Sequence, residues 1–123
     1  MVVRDSPLLG RAGGKEEVGR MRFMITCRIP MDRGNELAKN GTLGETIKTI
    51  MEELQPEAAY FSDIDGARGG YIVVDMDEAS QIPAMAEPLF LGLGATIQVH
   101  PVMTPEDLAK GTPAIEQAAQ KYG

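Results

Sequence analysis

Residues 58–76 have the sequence AAYFSDIDGARGGYIVVDM, in which two short apolar segments flank the glycine-rich stretch DGARGG at 65–70. The segments at about 58–63 and 71–76 contain the aromatic and β-branched residues that are typical of strands. Aspartate and glycine between two such segments favour a reversal of the chain. The stretch therefore predicts a β-hairpin with residues 65–70 as its turn.

Before this hairpin the sequence predicts a strand and then helix. Residues 22–29 alternate apolar and polar side chains, which is the pattern of a strand, and Pro30 ends it. Residues 33–54 follow as helix, broken near Gly41 and Gly44. The second part of this helical region has apolar residues at helical spacing, so one side of it should face a core.

After the hairpin the same order of elements returns. Apolar residues between positions 82 and 90 predict a helix, which Pro88 should bend or end. Residues 95–103 then predict a fourth strand. The chain thus repeats the order strand, helix, strand. This βαββαβ order is that of a ferredoxin-like α+β fold, with a four-stranded antiparallel sheet and helices on one face. We expect strands one and three to be parallel neighbours at the centre of the sheet.

Both ends of the chain extend this unit. Residues 1–20 have neither strand nor helix periodicity, and we expect a disordered leader before a single domain at 21–123. At the other end Thr104 has the character of a helix cap, Gly111 should stop the short helix, and Pro113 should restart another. These extra C-terminal helices would form a lid over a sheet edge or a contact with a partner.

Composition excludes several classes of function. The chain has 123 residues, a formal charge of −6, one cysteine and no tryptophan. An acidic body repels phosphate backbones and anionic lipid, so neither nucleic acid nor a membrane is an expected partner. The lone Cys27 cannot form an intrachain disulfide, and no secretory signal is present, so we expect a cytoplasmic protein. One histidine without a thiol pair gives no metal site, and no cofactor is expected.

The alternation of the strands divides the sheet into two faces. One face is apolar and should pack against the helices. The other is mixed, half apolar and half hydrogen-bonding, which suits either a dimer interface or the wall of a pocket. The mixed face is predicted to contain Met24, Thr26, Arg28, Tyr60, Ser62, Tyr71, Val73, Asp75, Gln98 and His100.

Arg28, Asp75 and His100 are residues of the mixed face that could perform chemistry. Arg28 and Asp75 come late in strands one and three, so parallel strands would put them at the same end of the sheet. There they could form an ion pair, or Arg28 could hold a substrate carboxylate. His100, the only histidine, could act as a general base, but its strand should run antiparallel to strand one and place it at the opposite end.

Several short stretches resemble the dimeric α/β-barrel superfamily. They are MRFMI at 21–25, the strand end at Asp75, PLF at 88–90 and IQVHPV at 97–102. The sequence is most similar to small uncharacterised bacterial domains of that superfamily, and more distantly to muconolactone isomerases. The resemblance implies a homodimer in which two four-stranded sheets face each other with the helices outside.

Three functions remain open at this stage. The first is binding of a small organic molecule, such as an organic acid, with ligand-binding residues Arg28, Asp75 and Gln98 and a cavity lined by Met51, Met85 and Phe90. The second is a cofactor-independent isomerase or monooxygenase acting on a small cyclic or aromatic acid, with His100, Tyr60 or Tyr71 in proton transfer. The third is a purely structural dimer.

Overall fold

The computed structural model describes residues 21–123. The predicted disordered leader at 1–20 lies outside these described residues. Within them the chain forms four strands and four helices, and a short 3-10 turn at Ala79–Gln81 leads into the third helix. In chain order the elements are β1 (Met21–Arg28), α1 (Met31–Lys39), α2 (Leu43–Leu54), β2 (Ala58–Ile64), β3 (Ala67–Met76), α3 (Ile82–Leu93), β4 (Thr96–Val102) and α4 (Pro105–Tyr122).

The four strands form one sheet in the order β2-β3-β1-β4, and every neighbouring pair is antiparallel. This arrangement confirms the predicted α+β fold with a four-stranded antiparallel sheet. Because β1 and β2 both run antiparallel to β3, they are parallel to each other and are joined by α1 and α2. In the same way β3 and β4 are parallel and are joined by α3, so the chain contains two interleaved βαβ units.

The expectation that strands one and three are parallel is wrong. Arg28 pairs with Gly69, whereas Asp75 pairs with Arg22 at the other end of β1. Six residues of extended chain separate the two positions, which is about 20 Å. His100 pairs with Met24 and therefore lies toward the Asp75 end, away from Arg28. The physical reason is connectivity. β3 follows β2 through a tight turn and therefore runs antiparallel to it, and β1 is parallel to β2, so β3 is also antiparallel to β1.

The core lies between one face of the sheet and the helices α1, α2 and α3. Ile25, Val74 and Met85 are fully buried there, and Leu54 and Leu89 are almost so. The apolar stripe predicted for the second helix is confirmed. Its members face the sheet as buried or partly buried residues of this core, and they are Leu43, Ile47, Ile50, Met51 and Leu54.

Glycines shape two places along the chain. The predicted break in the first helical region is confirmed, since α1 ends at Lys39 and Gly41 has a φ of 74°. In the hairpin, only Asp65 and Gly66 form the turn, with φ values of 50° and 83°. Positive φ at two successive turn residues matches the twist of the flanking strands.

The rest of the glycine-rich stretch is strand, so the prediction that all of residues 65–70 form the turn is wrong. Ala67 to Gly70 pair with β2 and begin β3. A Cβ at Gly69 would collide with the carbonyl oxygen of Cys27. Glycine is therefore present here because β1 and β3 approach closely, and only the Asp65-Gly66 pair is required by the turn.

The predicted break of the C-terminal helix at Gly111 and Pro113 is wrong, and Pro88, expected to bend or end its helix, does not end it. Pro88 lies inside α3, which continues to Leu93, and α4 is one helix that includes both Gly111 and Pro113. Each proline removes a single backbone donor, and the remaining hydrogen bonds of a long helix can continue on either side. The predicted cap at Thr104 is confirmed: its hydroxyl accepts a hydrogen bond from the Asp107 N–H (3.1 Å).

Candidate functional site

One face of the sheet, here called the open face, is not covered by any helix among the described residues. The strand register places on it the ten residues that the sequence assigned to the mixed face. Its central rows run across all four strands. The first row is Tyr60, Tyr71, Thr26 and Gln98, and the second is Ala58, Val73, Met24 and His100.

The chemical groups of the open face are spread out. Tyr60 and Tyr71 lie directly opposite each other and are 68% and 39% exposed. His100 Nε2 lies 3.3 Å from Gln98 Oε1, and both side chains are exposed. Arg28 donates from Nε to the carbonyl oxygen of Ile64 at 3.1 Å. None of Arg28, Tyr60, Tyr71, Gln98 and His100 lines the cavity described below.

The end of the open face that holds Asp75 contains a surface ion pair. Arg22, opposite Asp75, donates from Nε to Glu57 Oε1 at 2.7 Å. This hydrogen bond raises the pKa of Arg22. Asp75 itself is buried, with 8% of its surface exposed. The predicted pairing of Asp75 with Arg28 is therefore excluded by the distance along the sheet, and Arg22 occupies the facing position instead.

A cavity of about 630 Å³ lies on the other side of the sheet, between the β2–β3 hairpin and the helices. Its walls are mainly apolar. Helix α2 contributes Met51 from one side, and Phe61 of β2 closes it from the other. The polar side chains that line it are Ser62, Asp63 and Arg68. Further lining residues are Cys27, Ile29, Met31, Ile47, Ile50, Gly66, Ala67, Gly69, Gly70, Ile72, Leu89 and Leu93.

The cavity exists because the helices cover only part of the sheet. None of the seven residues of β2 is buried, so the helices leave this edge strand uncovered. Phe61 lies on the helix side of the sheet, opposite Gly70, and is still 60% exposed. Gly70 carries no side chain, so the space between Phe61 and α2 stays open. A volume of this size is within the range of small-molecule sites.

The mouth of the cavity carries one cationic side chain, Arg68. Its Nη1 donates to Asn35 Oδ1 at 2.9 Å, which ties the guanidinium to α1. A Cβ at Gly34 would lie 2.9 Å from the same Nη1, so the absence of a side chain at position 34 makes room for the guanidinium. Asp63 is directly opposite Arg68 in the register. The ion pairs found in the described part of the chain do not include Arg68.

The cavity wall also includes the only cysteine, Cys27, which is buried as predicted. Burial raises the pKa of its thiol to about 11. A thiol with this pKa stays protonated near neutral pH and is a poor nucleophile. Cys27 therefore acts as a small apolar wall residue.

The predicted cavity residues have different locations in the structure. Met51 lines the cavity, but Met85 is fully buried in the core and Phe90 is 41% exposed, and neither of these lines it. Five residues along a helix correspond to a rotation of about 140°, so Met85 and Phe90 cannot share a face. Leu89 and Leu93 of α3 line the cavity instead.

Arg68 was missed because the sequence assigned it to a turn. The signal that could have found it is Arg68 followed by two glycines, in a strand whose hairpin partner contains Phe61 opposite Gly70. The proton-transfer candidates Tyr60, Tyr71 and His100 lie on the open face, on the opposite side of the sheet from the cavity. The structure thus separates the groups proposed for catalysis from the space in which a substrate could be enclosed.

Two features are absent from residues 21–123. No group of three or more His, Cys, Asp or Glu side chains is arranged to hold a metal ion. No helix in this range has the length and apolar character needed to cross a membrane.

Comparison with known proteins gives a family without an assigned activity. The sequence has no match among curated proteins. A family model described as a domain of unknown function, DUF3303, matches residues 21–115. The match covers the whole sheet, the three helices that line the cavity and the first part of α4, and we conclude that the chain belongs to the DUF3303 family.

Proposed function

We propose that this protein binds a small organic acid in the cavity between the β2–β3 hairpin and the helices. The observation that carries the proposal is the cavity itself, about 630 Å³ in volume with mainly apolar walls and Arg68 at its mouth. An apolar cavity with few polar groups near one end suits a ligand that has an apolar body and one charged end. The body would contact Met51 and Phe61.

Arg68 supplies the charge complementarity. A guanidinium has five N–H donors, and its hydrogen bond to Asn35 uses one of them. A carboxylate at the mouth could accept two parallel hydrogen bonds from the remaining donors. Because Arg68 is exposed, its contribution should fall at the lower end of the usual range for charged hydrogen bonds, at about 1 to 2 kcal/mol.

The test compares acids with their uncharged analogues. Aromatic and medium-chain carboxylic acids, and the primary amides of the same shape, are titrated into the full chain by isothermal calorimetry. We expect the acids to bind about 5- to 30-fold more tightly than the amides, which is the equivalent of the free energy given above. In Arg68→Gln this preference should disappear.

Two further variants complete the experiment. Arg33→Gln is the matched control, because Arg33 is also on the surface but pairs with Glu36 and does not line the cavity. It should bind like the wild type. Arg28→Gln tests the alternative that the open face holds the carboxylate. Equal binding of acids and amides to the wild type, or absence of binding at millimolar concentration, would contradict the proposal.

The proposal includes a homodimer formed through the open face. The central rows of this face combine Tyr60, Tyr71, Met24 and Val73, with charged groups toward the two ends, as protein interfaces combine an apolar centre with a polar rim. Tyr71→Glu should weaken association measured by analytical ultracentrifugation. Charge reversal at an exposed position on α2, Lys48→Glu, should not.

The enzymatic alternative has less support. An isomerase or monooxygenase would need Tyr60, Tyr71 or His100 beside an enclosed substrate, and in one protomer these side chains are exposed on the open face. A purely structural dimer would leave the cavity without a role. The calorimetric series distinguishes this last alternative from acid binding, because a structural module should bind neither acids nor amides.

A further inference from the structure

Helix α4 extends from the body with none of its eighteen residues buried. Three large apolar side chains on it are strongly exposed: Leu108 at 50%, Ile115 at 58% and Tyr122 at 80%. They lie along one side of the helix, since their spacing of seven residues is two helical turns. Together with the small residues between them they form what we call the α4 stripe, which is Leu108, Gly111, Ile115, Ala118 and Tyr122.

A helix with this sequence is poorly suited to exist alone in water. Isolated helices of this length are marginal even in alanine-rich sequences, and most helical stability in proteins comes from packing of an apolar side. Gly111 and Pro113 are in its interior, and glycine and proline are the two least favourable residues there. The capping box between Thr104 and Asp107 supports only the first turn. The remaining turns need a surface to pack against.

The position of α4 indicates which surface its apolar side packs against. Two residues, Met103 and Thr104, separate the start of the helix from Val102. Val102 lies opposite Arg22 at one end of the open face. The uncovered helix is thus continuous with the uncovered face of the sheet. In one protomer both surfaces are exposed, and both begin at the same end of β4.

The areas of the two surfaces point to a shared partner. Four strands of about seven residues give the open face a footprint of about 440 Å². A stable interface buries about 800 Å² of accessible surface on each partner. One side of an 18-residue helix adds about 270 Å², from a length of about 27 Å and a width of about 10 Å. Face and helix together approach the area that a stable dimer needs.

We propose that α4 is a dimerisation arm: in a pair of chains, the α4 stripe of each packs against the body of the other copy. The proposal rests on the homodimer described above and adds the arm to its interface. With two-fold symmetry, each chain packs its α4 against the other and receives the other chain's α4 at the same place, which is the usual arrangement of homodimers. The arm then provides the packing that keeps α4 helical.

The experiment measures the dimer dissociation constant of the full chain by sedimentation equilibrium. The stripe variant is Leu108→Glu with Ile115→Glu. The matched control adds the same two charges to the opposite side of α4, as Gln117→Glu with Gln120→Glu. We expect the stripe variant to raise the dissociation constant by at least about 100-fold, and the control to change it by less than about 3-fold.

Helix content supplies a second readout, because α4 contains about a third of the α-helical residues of the described chain. Dilution of the wild type below its dissociation constant should lower the helical circular dichroism signal by about that fraction. The stripe variant should show the reduced signal at all concentrations. At a concentration at which both variants are monomeric, thermal unfolding of the body should be the same in both, since no residue of α4 is buried.

The outcomes separate the arm from the rest of the proposed function. If the stripe variant dimerises like the wild type, the arm is refuted and the dimer through the open face stands. If Tyr71→Glu dimerises normally while the stripe variant does not, the arm is supported and the open face is refuted. A wild type that is monomeric at all concentrations refutes both, and leaves acid binding to be decided by calorimetry.

Discussion

Replacing Met85 and Met51 separately by alanine would test whether the cavity is a true opening in the core. Both methionines are on core-facing sides of helices, and the sequence assigned both to a ligand cavity. The structure makes them different: Met85 is completely buried, whereas Met51 is partly buried and lines the cavity. The same chemical change should therefore have different consequences at the two positions.

The magnitude follows from what each side chain contacts. Truncation to alanine removes three heavy atoms beyond Cβ, and at Met85 these atoms are surrounded on all sides. The lost transfer free energy together with the new void should lower the free energy of unfolding by about 3 kcal/mol. Met51 already borders empty space on one side, so it should lose only about 1 kcal/mol.

The assay is urea unfolding followed by circular dichroism, with thermal melting as a second measurement. For a domain of this size, losses of about 3 and about 1 kcal/mol correspond to roughly 12 to 24 °C and roughly 4 to 8 °C in Tm. Met103→Ala is the control, since Met103 is 68% exposed and should change stability by less than about 0.5 kcal/mol. Equal losses at Met85 and Met51 would show that the space beside Met51 is closed in solution, and would refute the reasoning.

Two further predictions concern β1 and β3, which both contribute residues to the cavity wall. Gly69→Ala should lower the free energy of unfolding by at least about 2 kcal/mol, because the new Cβ would collide with the Cys27 carbonyl oxygen. Gly44→Ala is in α2 with open space around it, and it should raise the free energy of unfolding by about 0.5 to 1 kcal/mol. Urea unfolding measures both variants, and similar effects of the two substitutions would contradict the prediction. Burial raises the pKa of Cys27 to about 11 from an ordinary 9.0, so the unfolded state loses its thiol proton first as the pH rises. The free energy of unfolding should therefore fall by up to about 3 kcal/mol between pH 9 and pH 11. Cys27→Ala, measured over the same range, should lack this part of the decline, and identical pH profiles would rule it out.

Local features of the fold were predictable from neighbouring residues alone. The stripe of α2 and the cap at Thr104 depend on residues within a few positions of each other, and both predictions are confirmed. The two faces of the sheet follow from simple alternation. The order of strands and helices follows from the same local patterns, which is why the α+β class could be assigned before any contact was known.

Helix ends at glycine and proline were less predictable. Pro88, Gly111 and Pro113 all lie inside helices, although each residue disfavours helix locally. In α3 the packing of Met85 and Leu89 into the core holds the helix through the proline. In α4 no such packing exists within one protomer, and this is why its continuity is informative about a partner.

The candidate site depended on relationships between distant parts of the chain. The sequence by itself determined the elements, the apolar and mixed faces, and the single buried cysteine, because these follow from residue type and spacing. Only the tertiary structure decided that β1 and β3 are antiparallel, which separates Arg28 from Asp75. It also decided that Arg68, and not Arg28, lies at a cavity mouth. The physical reason is that pairing direction and empty space arise from how elements pack, and neither is encoded by any one segment.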